Sequence, residues 1–249
     1  MNTVDVRRAV TGVLQRAFKT HYYRQVARRI SLMQHHRISL VFDIGANEGQ
    51  FALELRRFGY KGRIVSFEPM AAAFDTLVRH SRRDPAWTGE RIALGDWNGQ
   101  SDINVSANSQ SNSLLNMNPR LLEAAPETRF VAREPVEVRR LDSILHNFKE
   151  SGDVLYVKID AQGFEKKILD GARGVLDEIT GLQLEVALVQ LYENAVLFRE
   201  LLDYMDRERF ALMGLEPEFS DPRTGQLLET DCIFFRPDEG RGVNGGERA

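Results

Sequence analysis

The chain has 249 residues, enough for one α/β domain with a self-sufficient core. Its 33 basic and 36 acidic residues leave a net charge of −3, which speaks against a nucleic-acid partner, since phosphate binding needs a basic surplus. The single cysteine, Cys232, cannot form an internal disulfide, and no apolar run approaches the roughly 18 residues that cross a bilayer. With a first segment too polar and arginine-rich for a secretory signal, a cytoplasmic setting is expected.

Residues 1–37 carry eight basic residues against Asp5 alone. Apolar residues from Val6 to Ile30 recur at steps of three and four, so the segment is predicted to be an amphipathic helical extension. Its basic face has three readings. It is a solvated face on a helix that caps the fold, a surface for peripheral membrane contact or the acceptor cleft, or a homodimer contact.

Residues 38–237 read as one domain, with no break in composition to mark a second. Leu40 to Ile44 is an apolar run with one acid, Asp43, and reads as a buried strand. Gly45 and Gly49 bracket a tight turn. Phe51, Ala52, Leu55 and Phe58 then follow at helical spacing. Strand, glycine-rich turn and helix make the nucleotide cradle of doubly wound proteins, where glycine accepts angles that a Cβ forbids and leaves bare backbone for a ligand. Gly-x-Gly-x-x-Gly is absent, because Asn47 and Gln50 stand where a nicotinamide site needs glycine. The next strand, Arg63 to Phe67, ends in Glu68, placed for a bidentate grip on two ribose hydroxyls.

Ala71 to Arg83 is predicted as a helix and Arg91 to Leu94 as the third strand. Asp96, just beyond it, is either an acceptor for an adenine amine or a surface turn. Ser101 to Val105 and Pro135 to Arg139 alternate like strands. Between them runs a Ser- and Asn-rich stretch, Ser106 to Asn118, whose length points to a lid, with disorder as the alternative. Asp142 is placed to cap a short helix. Val154 to Ile159 is a strand ending in Asp160, and Gly163 opens a helix containing Glu165. Leu182 to Leu188, with Glu185, is a strand. Leu197 to Arg207 is a helix, and Phe210 to Met213 and Cys232 to Phe235 are strands. Residues 238–249 are charged and glycine-rich, and are expected to be a disordered tail.

Four blocks stand in order: Asp-Ile-Gly-Ala-Asn-Glu-Gly at 43–49, Phe-Glu-Pro at 67–69, Ala-Leu-Gly-Asp at 93–96, and Lys-Ile-Asp-Ala-Gln-Gly-Phe-Glu at 158–165. With Arg-Leu-Asp-Ser-Ile at 140–144, the chain resembles the FkbM family of S-adenosylmethionine-dependent O-methyltransferases. The resemblance implies a Rossmann-like, seven-stranded, mostly parallel sheet of the class I methyltransferase type, with one antiparallel strand near the C-terminus. It implies methyl transfer to a hydroxyl of a small-molecule or glycolipid acceptor, often a sugar. By position, Asp43, Gly45, Ala46, Asn47 and Gly49 would hold the methionine moiety of the donor, Glu68 its ribose, and Asp160 would face the methyl. The family usually has Glu where this chain has Gln162.

A hydroxyl is a poor nucleophile, so a base is expected. Asp160 ranks first and Glu185 second, both on the ligand-binding edge of the sheet. Lys158 points to the same face as Asp160 and is expected to pair with it. None of the five histidines has zinc-ligand spacing, and no metal is expected; Mg²⁺ held by Asp160, Glu185 and sugar hydroxyls is the minority reading. The competing function is a non-catalytic, methyltransferase-like binding module at a membrane.

Overall fold

The computed structural model describes residues 22–237. The basic run of residues 1–21 and the tail at 238–249 lie outside the described residues, so the readings made of them are not addressed. Residues 22–35 form helix α1. The main sheet holds β1 (Leu40–Ile44), β2 (Arg63–Phe67), β3 (Trp87–Glu90), β7 (Leu155–Ile159), β8 (Ile179–Ala187), β9 (Ala211–Pro217) and β10 (Glu229–Phe235). Their order is β3-β2-β1-β7-β8-β10-β9. β10 runs antiparallel to both neighbours, and the pairs from β3 through β8 are parallel. This is the seven-stranded arrangement expected from the sequence.

All five residues of β1 and of β7 are buried, as expected of parallel strands covered on both faces. One face carries α1, α2 (Gln50–Arg57) and α3 (Ala71–Ser81). Val26, Ile30, Ala52, Leu55 and Leu77 there close over Val41, Ile64 and Tyr156. The opposite face carries α5 (Leu141–Ile144), α6 (Glu165–Asp170) and α7 (Phe198–Arg207). Ile168, Leu169, Leu201 and Met205 there pack on Phe42, Val157 and Leu184.

Three placements differ from expectation. The third strand of the sheet is Trp87–Glu90, not 91–94. The latter stretch contributes only β4 (Ala93–Leu94), which joins β5 (Gly99–Ser106) and β6 (Phe130–Arg139) in a separate three-stranded sheet. The edge strand Trp-Thr-Gly-Glu has no apolar run; Trp87 alone anchors it, 3% exposed, donating from Nε1 to Ser66 Oγ at 2.9 Å. Second, a short helix, α4 (Pro119–Ala124), capped by Asn118, follows the polar stretch. Third, Asp142 lies inside the first turn of α5 and accepts from Arg140 Nε at 2.9 Å instead of capping the helix.

Two basic side chains of α1, Arg28 and Arg29, serve the fold itself. Arg29 is 5% exposed and pairs with Glu54 at 2.7 Å and Glu216 at 3.4 Å, and Arg28 donates to the Met213 carbonyl at 2.6 Å. Removing one partner of a buried ion pair leaves the others uncompensated. Arg29→Ala is therefore expected to lower the stability to urea by about 3–5 kcal/mol. A loss under about 1 kcal/mol would show that the pairs are solvent-screened.

Candidate active site

A cavity of about 520 Å³ opens at the C-terminal ends of β1, β2, β7 and β8. That edge is where open α/β sheets place ligands. Gly45, Ala46 and Asn47 line it from the turn after β1, and Glu68 lines it from the tip of β2. Gly45 and Ala46 donate their N–H groups to the Phe67 carbonyl at 3.0 and 3.1 Å, which fixes the turn against β2.

The two glycines of the turn do different work. Gly45 has φ +73°, and a Cβ there would stand 1.8 Å from the Asp160 carbonyl oxygen. The turn after β1 can lie against the end of β7 only without a side chain at 45. Gly49 does not line the cavity. It sits at the N-terminus of α2 with φ +87°, where a Cβ would meet the Trp87 ring at 2.7 Å. Its role is packing.

Glu68 is 5% exposed, and each carboxylate oxygen accepts a backbone N–H, from Asn47 at 2.7 Å and Met70 at 2.8 Å. Burial outweighs those bonds and pushes its carboxyl up to about 7. Asp43 lies beneath the turn, fully buried, with Oδ2 accepting from Ser66 Oγ at 3.2 Å. Burial raises its pKa to about 6 against the pull of Lys158. Asp96 is not brought to the cavity: its carboxylate accepts from Lys167 Nζ at 2.9 Å. The strand it follows, β4, belongs to the second sheet and not to the main one.

Asp160 and Glu185 come together through Gln162. The Gln162 amide donates to Asp160 Oδ1 at 3.0 Å and to Glu185 Oε2 at 2.6 Å, while its own oxygen accepts from Tyr192 at 2.7 Å. Gln162 holds this position with φ +53°, in the left-handed region. Lys158, 7% exposed, donates to Asp160 Oδ2 at 2.9 Å, the pairing expected from their two-residue spacing. Burial pushes Asp160 up, but the Lys158 ammonium and the hydrogen bonds it receives hold its carboxyl below the usual range. Burial and the neighbouring Asp160 charge drive Glu185 well above that range. Their environments thus drive the two neighbouring acids in opposite directions, Glu185 toward the protonated form and Asp160 toward the ionised one. Glu165 accepts from the N–H groups of Ala161 and Gly163 at 2.9 and 3.1 Å and clamps the loop that carries Gln162.

The Ser- and Asn-rich stretch forms one wall of the cavity from Asn108 to Leu114. Its polar side chains bond within it: Asn112 Oδ1 accepts from Ser106 N at 2.8 Å and Asn108 Oδ1 from Gln110 N at 3.1 Å. Ser113 Oγ ties it to the Gln162 carbonyl at 2.8 Å. A second cavity of about 320 Å³ shares Asp160 and Glu185 with the first and is walled by Gln25, Val26 and Arg29 of α1.

Sequence reasoning missed Tyr192, Glu218 and Glu229. Glu229 and Asp231 alternate along β10 on one face, a period-two signal hidden because the strand was started at Cys232. For metal binding, the described residues offer Glu216, Glu218 and Asp231, with oxygens within 4.8 Å of one another; this group does not contain Asp160 or Glu185.

An adenosyl sulfonium donor suits these residues. The turn presents bare backbone, an acid ends β2, and Asn47 Oδ1 is a buried acceptor without a hydrogen-bond partner. Fold and cavity together define a class I, S-adenosylmethionine-dependent methyltransferase. Residues 43–212, more than half of the chain, match the Methyltransferase FkbM domain, and the protein belongs to that family. "Methyltransferase 1" of Beauveria bassiana is 24% identical over 198 residues, covering 74% of this chain and 77% of that protein. The 2-O-methyltransferase NoeI of Sinorhizobium fredii is 24% identical over 173 residues, covering 67% and 70%. Among solved structures, M. capricolum TrmK in complex with S-adenosylhomocysteine aligns with a TM-score of 0.46 at 10% identity, over 86% of this chain and 66% of that one.

The raised Glu68 carboxyl carries a pH signature. A ribose that donates its hydroxyls to Glu68 favours the ionised form. Affinity for S-adenosylhomocysteine should then rise about tenfold from about pH 6 to pH 8, as a group near 7 ionises. Glu68→Gln should flatten that rise in calorimetry. A flat profile in the unaltered protein would remove Glu68 from the ribose site.

Proposed function

We propose that the protein methylates a hydroxyl of a sugar or lipid-linked sugar. The observation that carries this reading is the Asp160–Glu185 pair, standing where the donor cavity meets the second cavity. A polyhydroxyl acceptor suits the polar lining of the second cavity, which includes Gln25, Arg29, Gln183 and Asp231. The name of NoeI, a 2-O-methyltransferase, supports oxygen as the accepting atom.

S-adenosylmethionine supplies an activated methyl on a sulfonium. The acceptor oxygen attacks that methyl carbon in line; the carbon–sulfur bond breaks and its electron pair stays on sulfur. The proton lost by the hydroxyl passes to the carboxylate of Asp160 within the acid pair. Gln162 and Tyr192 hold the two acids in register, and Lys158 keeps Asp160 ionised and ready to accept. Alignment at near-attack distance is worth up to roughly 7–11 kcal/mol. The base typically adds about 10²–10⁴-fold.

Asp160→Asn removes the carboxylate that takes the proton, and Glu185→Gln removes the acid that faces it across Gln162. Each should lower turnover by about 10²-fold or more while leaving donor affinity within about threefold. Unchanged turnover in either variant would take that acid out of the chemistry. The acceptor class is tested by tritiated-methyl transfer over a panel of free sugars and glycolipids. Alkali-stable label on a sugar is the expected result. Label on carboxyl, amine or nucleic acid alone would contradict it.

Contact with a membrane surface draws no support from α1, whose Arg28 and Arg29 are engaged within the protein. Among the described residues no helix is long and apolar enough to cross a membrane.

A further inference from the structure

Glu229 opens β10, is 7% exposed and lines the donor cavity. Among the described residues, no hydrogen bond or ion pair reaches its carboxylate. The charged groups that act on it are Glu165, Asp160, Asp231, Glu218 and Glu185, all acids. The two buried cations of the region are spent elsewhere: Lys158 on Asp160 at 2.9 Å, Arg29 on Glu54 and Glu216 at 2.7 and 3.4 Å. A buried acid ringed by acids is costly unless a cation arrives to share the space. Burial and those neighbours push Glu229 up to about 8, and Glu218 beside it is raised as well, with Asp231, Asp160 and Glu216 around it.

The cation is not a compact metal ion. A divalent ion needs several oxygens within bonding reach at once. The described group with that spacing, Glu216, Glu218 and Asp231, leaves out Glu229. In that group Glu216 already faces Arg29, and Asp231 accepts from Gln183 Nε2 at 2.5 Å. An ammonium on a larger molecule can instead donate N–H bonds to carboxylates that are farther apart.

We propose that the acceptor carries a basic amine, and that Glu229 and Glu218 receive it as an ammonium beside the reacting hydroxyl. This rests on the reading of the cleft as a hydroxyl methylation site and deepens it. A protonated amine has no lone pair, so the same contact that binds the acceptor keeps its nitrogen from being methylated in place of its oxygen.

The test uses the full chain saturated with S-adenosylhomocysteine. It is titrated with glucosamine against N-acetylglucosamine, with tyramine against N-acetyltyramine, and separately with magnesium chloride. The amine of at least one pair should bind about tenfold or more tightly than its neutral partner, and Glu229→Gln should narrow the gap below about threefold. Glu218→Gln, at an exposed position, serves as a second variant should Glu229→Gln fail to fold, and should narrow the gap at least about threefold. Preference in the tyramine pair alone upholds the ammonium subsite and removes the sugar reading. Equal binding within both pairs, no binding of either amine, or a preference that both variants leave intact overturns the proposal. So does magnesium binding that Glu229→Gln abolishes. A loss of about tenfold or more in S-adenosylhomocysteine affinity in Glu229→Gln would assign the acid to the donor and overturn it too.

Discussion

The site depends on one close approach. The Asp160 carbonyl at the end of β7 occupies the space where a side chain at residue 45 would begin. Because nothing stands there, the turn after β1 folds flat against the start of the loop that carries Gln162. Parallel pairing continues to the last residue of each strand, with Asp160 N donating to the Ile44 carbonyl at 3.1 Å. The backbone that would bear the donor and the acids that would act on the acceptor are thereby held on adjacent strands. Any side chain at 45 would have to part them, and the left-handed φ adds a second penalty.

Electrostatics then decides what the pocket can hold. Two buried cations, Arg29 and Lys158, are each committed to particular acids. The remaining carboxyls are raised by burial and by one another, which leaves the cleft short of positive charge. A cationic sulfonium donor suits such a cleft better than an anionic phosphate ligand would. The same imbalance raises Glu185 while Lys158 holds Asp160 down, so the two acids that meet through Gln162 are driven apart in their affinity for a proton.

Much of this was legible in the sequence, and the losses have physical causes. Leu40 to Ile44, Gly45 and Glu68 stand where the motif places them, because strand, turn and acid form a local unit whose geometry follows from spacing. The seven strands, mostly parallel with one antiparallel near the C-terminus, followed from the family resemblance. The apolar Ile-Ala-Leu run reads as the third strand, whereas a single tryptophan anchors the true strand four residues earlier; of the two readings of Asp96, its pairing with Lys167 outside the cavity lining agrees with the surface turn. Gly49 was assigned to the ligand for want of knowing that Trp87 packs on it, a contact 38 positions away in the chain. Arg29 looked like one of many surface arginines. Only the fold shows that β9 and α2 bring Glu216 and Glu54 to meet it. Long-range pairing of polar residues leaves no periodic trace, and most of what the sequence hid is of that kind.

The central claim is that the turn at Gly45 and the acid at Glu68 hold the donor, with its reactive end toward Asp160 and Glu185. A crystal grown with S-adenosylhomocysteine tests it most directly. Density should run from Glu68 at the ribose, past Gly45 and Asn47, to a sulfur facing Asp160. Well-defined density for the compound in another cleft, with none along this path, would contradict the account.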